Sequence, residues 1–307
     1  MQLFSRRNAL AALALVAAVG AAGFVWLQLR PAVRSPELLL SALPPRGGTL
    51  ILIDVAALRK SGFLKMFAAS KAASGGEYRE FVEQTGFDYE RDLDMLAVES
   101  TPDATYYAAA GDFQWNKIQR YLESNGGACQ DGLCRMASSQ PGRHISLYAM
   151  DGSHLAVAVA TDAYAASLIA PRKTVAGVTP VSPVWILVPS SVLREGSGLP
   201  AGTRAFATPI SRAERIEFFV EPARQNLTLV ARVLCRDAQA AAQLEQELRK
   251  TTEQLNKMLS RDGIQPSPRD LAAVLASGTF ETEGSRLTGR WMLRKPFLEA
   301  LAGGEIE

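Results

Sequence analysis

Histidine is almost absent: the chain has two, His144 and His154, in 307 residues. Cysteine is nearly as rare, with Cys129, Cys134 and Cys235 the only three. Together these leave few parts for a zinc cluster and no repeated ligand spacing. A Ser-His-Asp triad lacks parts as well. No Gly-rich phosphate loop, H-E-x-x-H helix or G-x-S-x-G elbow occurs. "EGSGLP" around Ser197 and "DGSHL" around Ser153 read as turn chemistry. The chain therefore implies no cofactor, no metal and no catalytic residue. A basic stripe is missing too. Lys and Arg number 33 against 31 Asp and Glu, and four of the arginines fall within residues 1–34, where no acid occurs. The remainder is slightly acidic, which excludes nucleic acid as a partner on charge grounds.

What the chain does have is one long apolar run. Ala9–Leu29 carries no charge, and as a helix it would rise about 31 Å, the thickness of a hydrocarbon core. Trp26 stands near one end, and Arg6 and Arg7 precede the run. The pattern predicts a cytoplasmic tip and transmembrane anchor at residues 1–30, a bilayer partner for residues 9–29, and a C-terminal region outside the cytoplasm at the inner membrane. A cleaved signal peptide, with "VGAAG" as its peptidase site, is the competing reading. No cysteine follows the run, so a lipoprotein is not expected.

In "GGACQDGLCRM" an Asp131-Gly132 turn would pair Gln130 with Leu133 and set Cys129 opposite Cys134 in a non-hydrogen-bonded pair. That spacing is neither C-x-x-C nor a zinc ligand pattern, so the pair reads as a disulfide, with two free thiols as the alternative. A disulfide suits an extracytoplasmic compartment. Cys235 is then a small buried hydrophobe.

Residues 31–47 read as a Pro-containing juxtamembrane connector. After it, the order of elements runs twice through the chain. "TLILIDV" and "VWILVPS" read as opening strands, "LDMLAVES"/"ATYYAAAG" and "RIEFFVEP"/"LTLVARVLC" as strand pairs, and each half closes on a hairpin and a helix. The expected fold is α+β: an N-terminal transmembrane helix followed by two similar β-α-β-β-α-β-β-α modules, at 48–170 and 171–307, with antiparallel sheets and helices on one face. "TLILIDVAALRKSGFL" followed by "TGFDYERDLDMLAVES" resembles a pattern found in single-pass, exported bacterial proteins of unknown function. The resemblance spans about the first third of the outer region and carries over no catalytic residue.

Three features invite a site. With Asp151-Gly152 as a two-residue turn, His144 faces Val159 and His154 faces Ala149. The two rings would then lie about 17 Å apart on opposite faces, both at the rim. Asp88, Glu90, Asp92, Asp94 and Glu99 partly mimic a calcium loop, but Leu93 stands where the sharp turn needs glycine, so capping and solvation are expected instead. The helix from Ala238 carries an apolar stripe, Ala241, Leu244, Leu248, Leu255 and Met258. It reads as lying on its own sheet, with a coiled-coil seam as the alternative. On these grounds the chain is expected to be a membrane-anchored, extracytoplasmic, non-enzymatic module that binds or scaffolds an envelope protein partner. A ligand-binding module with a cleft between its halves and a carboxylate-based envelope enzyme are the rivals. An apolar pocket with convergent polar groups would favour the ligand-binding module. A pair of inward acids at glycosidase spacing would favour the enzyme.

Overall fold

The computed structural model describes residues 35–65, 76–171, 180, 182–195, 201–223, 226–261 and 267–303. In chain order it begins with helix α1 (Pro36–Ala42), strand β1 (Thr49–Asp54), α2 (Val55–Lys60), α3 (Gly76–Thr85), α4 (Tyr89–Asp92), β2 (Leu93–Ser100), β3 (Ala104–Gly111) and α5 (Trp115–Ser124). Then come β4 (Ala128–Gln130), β5 (Leu133–Ala137), β6 (His144–Ala149), β7 (His154–Ala160) and a 3-10 turn at Ala165–Leu168. The rest is β8 (Val184–Val188), α6 (Ser190–Glu195), α7 (Ala201–Ile210), β9 (Arg215–Ala223), β10 (Asn226–Leu234), α8 (Ala238–Arg261), α9 (Leu271–Ala276), β11 (Thr279–Glu283), β12 (Arg286–Leu293) and α10 (Lys295–Gly303).

All twelve strands join one antiparallel sheet, in the order β11-β12-β10-β9-β8-β1-β2-β3-β7-β6-β5-β4. This corrects the expected fold class. Two similar modules leave open whether their sheets pack separately or merge, and here they merge into one. β1 and β8 pair directly, through Leu50↔Leu187, Ile51↔Ile186, Leu52↔Trp185 and Ile53↔Val184. Each strand is a near-continuous apolar run whose edge N–H and C=O groups need a partner, which the other half supplies. The expected transmembrane helix is no part of this fold: among the described residues no helix is long and apolar enough to cross a membrane. The run Ala9–Leu29 lies outside the described residues.

The strand order repeats about the seam. β1-β2-β3-β7-β6 on one side corresponds to β8-β9-β10-β12-β11 on the other, with the hairpin β4–β5 added at the outer edge.

Helices cover both faces, not one. On the front, Leu58 of α2, Phe206 and Ile210 of α7, Leu244 and Leu248 of α8, and Leu298 of α10 pack with Ile216, Val233, Phe280 and Trp291. On the back, α1 and the 3-10 turn pack on a floor of small residues, among them Ala97, Ala108, Ala110, Ala156 and Ala158. The missing side-chain bulk on that floor lets Leu39 and Leu40 of α1 bury almost completely. The segment 31–47, expected as a connector, thus contains a packed helix. Its single turn of leucines is too short to announce itself by periodicity.

Candidate functional site: a cleft across the seam

Paired residues share a face of a sheet, so the ladder arithmetic sets out the site. Glu99 of β2 pairs with Leu50 of β1, Leu50 with Leu187 of β8, and Leu187 with Glu217 of β9. These four form one row on the back of the sheet, two leucines flanked by two carboxylates. At about 4.8 Å per strand the glutamate backbones stand about 14 Å apart. Above the leucines lies a cleft of about 480 Å³. Leu40, Leu43, Pro44 and Pro45 line one side of it, and Val188, Pro189, Glu214 and Arg215 the other. Gly47, Gly48 and Glu99 complete the lining. Its walls are mostly apolar, its polar groups are few, and its size is that of a small-molecule site.

Glu99 is the unusual member. It is 2% exposed. Its Oε1 accepts hydrogen bonds from the backbone N–H groups of Arg46 at 2.8 Å and Gly48 at 3.1 Å. Its Oε2 is buried without a partner. The strap Pro44–Gly48 is therefore pinned to the sheet by one oxygen of one side chain. Gly48 has to be glycine: a Cβ there would stand 2.3 Å from the carbonyl oxygen of Ser100. Glu217, the counterpart across the seam, is held differently. Arg215 bonds its Oε1 at 2.6 Å, and Arg232 stands 3.9 Å from its Oε2. The Arg232 guanidinium also lies over the Phe219 ring, 4.8 Å from its centre.

The residues singled out from sequence do not meet here, with one exception. Cys129 and Cys134 are bonded at the outer edge of the sheet, with Cα atoms 4.0 Å apart. Asp131 and Gly132 form the turn between them, both at positive φ. Cys235 is a free, buried thiol. Burial, followed by the charges of Asp237 and Glu214, pushes it above the ordinary thiol range.

The histidine geometry needs correction. β6 and β7 pair as His144↔Ala160 and Ala149↔Leu155, one residue off the expected register. The loop holds three residues because Asp151 spends its carboxylate locally, accepting from Ser153 N at 2.7 Å and meeting His154 Nδ1 at 2.8 Å. The shift reverses the parity, so both histidines lie on the back face, about 20 Å apart along the strands. His154 is buried, not at the rim, and its Nε2 has no partner. Burial pushes Asp151 up, but the Ser153 N–H and the His154 ring outweigh it and hold the carboxyl below its ordinary value.

The acidic run disperses in the same way. Asp88 caps α4 by accepting from Glu90 N. The Arg91 guanidinium holds Asp92 below the usual carboxylate range. Asp94 pairs with Arg59 at 3.3 Å. Among the described residues no group of three or more His, Cys, Asp or Glu side chains gathers as a metal site would require. Glu99, nominally the last ligand of that run, points instead into the back of the sheet. Its signal was present in "LDMLAVES", where period-two alternation puts Met95, Ala97 and Glu99 on one buried face. The opposite wall, Leu187 to Arg215, could not be found that way, because only the β1–β8 pairing brings it near.

No family model matches the chain, and no curated protein matches it. Among solved structures it is similar to TP0453. Crystal form I of that protein aligns with a TM-score of 0.50 at 10% identity, covering 87% of this chain and 98% of that one. Crystal form III aligns at 0.46 and 8%, covering 86% and 97%. At that identity the likeness is one of fold alone.

Proposed function

We propose that this protein is a non-enzymatic, extracytoplasmic binding module that holds a small, largely apolar ligand in the cleft across the β1–β8 seam. One observation carries the reading: a pocket of ligand size, floored by Leu50 and Leu187, whose wall contains a buried carboxylate with an oxygen left without a donor. Placement outside the cytoplasm is supported by the Cys129–Cys134 disulfide. It is also supported by the resemblance of residues 49–64 and 85–100 to exported bacterial proteins.

The carboxylate-enzyme reading fits less well. Glu217 is occupied by arginines, and Glu99 spends one oxygen on the backbone N–H groups of Arg46 and Gly48. A scaffold built on the α8 stripe fits less well too, since Ala241, Leu244 and Leu248 are buried against the sheet.

The test is uptake of a neutral apolar fluorophore, N-phenyl-1-naphthylamine, by the full-length chain. One saturable site is expected, lost in Leu187→Trp, which fills the cleft, with the near-ultraviolet circular dichroism kept. Equal uptake by both proteins would place the dye elsewhere and refute the reading.

A further inference from the structure

We infer that the ligand of this cleft carries a hydrogen-bond-donating cationic head, of the primary ammonium type, which docks on Oε2 of Glu99 while its apolar body lies over Leu50 and Leu187. The inference rests on the cleft being a binding site and names the chemistry of what enters it.

The charges around the cleft favour a cation. Glu99 and Glu214 line it against one guanidinium, that of Arg215. Arg215 itself is bonded to Glu217, outside the lining. Within the wall, the N–H groups of Arg46 and Gly48 both converge on Oε1 of Glu99. Oε2 is screened from bulk water as well as lacking a protein donor. A buried acceptor in that state carries its full desolvation cost, which a donor arriving through the cleft would remove. A charged donor removes more than a neutral one, because charge-assisted hydrogen bonds are about twice as strong. A carboxylate ligand would meet like charge.

Isothermal titration of the full-length protein with four water-soluble probes of one chain length decides the matter: n-heptylamine, n-heptanol, heptanoate and heptyltrimethylammonium. The amine should bind roughly tenfold more tightly than the alcohol, with heptanoate weakest and the trimethylammonium, which has charge but no N–H, close to the alcohol. Glu99→Gln keeps a carbonyl oxygen for the strap and turns the other position into a donor. The amine advantage should fall to within about threefold in that variant. Equal binding of all four probes by the native protein overturns the inference and leaves the cleft reading standing. Trimethylammonium matching the amine overturns the docked donor. Binding of none, with fluorophore uptake also unchanged by Leu187→Trp, overturns the cleft reading itself. The native comparison needs no variant, so a poorly folded Glu99→Gln would not rescue the idea.

Discussion

Trp185→Ala asks whether the two halves unfold as one body. Trp185 is 1% exposed. On the back of the sheet it pairs with Leu52 across the seam and with Phe219 on its other side, and all three belong to one cluster. Truncating a buried tryptophan to alanine costs about 3–5 kcal/mol, transfer and cavity together. Against a typical total of about 5–15 kcal/mol this is a large fraction. With a urea slope near 3 kcal/mol per molar, the midpoint should fall by roughly 1–1.7 M. The assay is hydrogen exchange with mass spectrometry along a urea series, following peptides from β2–β3 and from β9–β10. If the sheet is one cooperative body, both sets lose protection together at the lowered midpoint. If β2–β3 keeps its native midpoint while β9–β10 shifts alone, the seam is a contact between independent modules and the energetic reasoning fails.

Alkylation under denaturing, non-reducing conditions should label one cysteine of three, Cys235, and native protein at pH 8 should label far more slowly because that thiol is buried and its ionisation pushed upward; rapid native labelling would contradict both points. Asp151, held below its ordinary value, contributes stability that is present above about pH 4 and is lost as pH falls through its folded value. Asp151→Asn should therefore melt lower than the native chain at neutral pH and converge with it as pH falls through the folded titration of Asp151; curves that stay parallel as pH falls would remove the carboxylate from the account.

Elements whose stabilising contacts are local could be read from the residues in order. Asp131-Gly132 requires positive φ at both positions, and the cysteines flanking it face each other as a direct consequence. The α8 stripe meets its own sheet at Ala241, Leu244 and Leu248. Asp237 caps that helix, accepting from Ala240 N at 2.7 Å. The Asp151 loop was misread because one side chain had two competing local uses. A turn dipeptide predicted two residues, and the carboxylate's bonds to Ser153 and His154 made three. That single residue reversed the face of every side chain on one strand relative to the other. Helix α1 was missed for a different reason. It is short, and Leu40 answers to an alanine floor supplied from far along the chain.

By itself the sequence determined the alternation of strands and helices and the cysteine pairing, because each follows from neighbours within a few residues; the burial of Glu99, expected to be solvated, did not. Only the tertiary structure decided that β1 would pair with β8. Backbone edge groups are chemically alike in every strand, so nothing in either apolar run names its partner. From that pairing follow the single sheet, the row from Glu99 to Glu217, and a cleft whose two walls come from opposite halves of the chain.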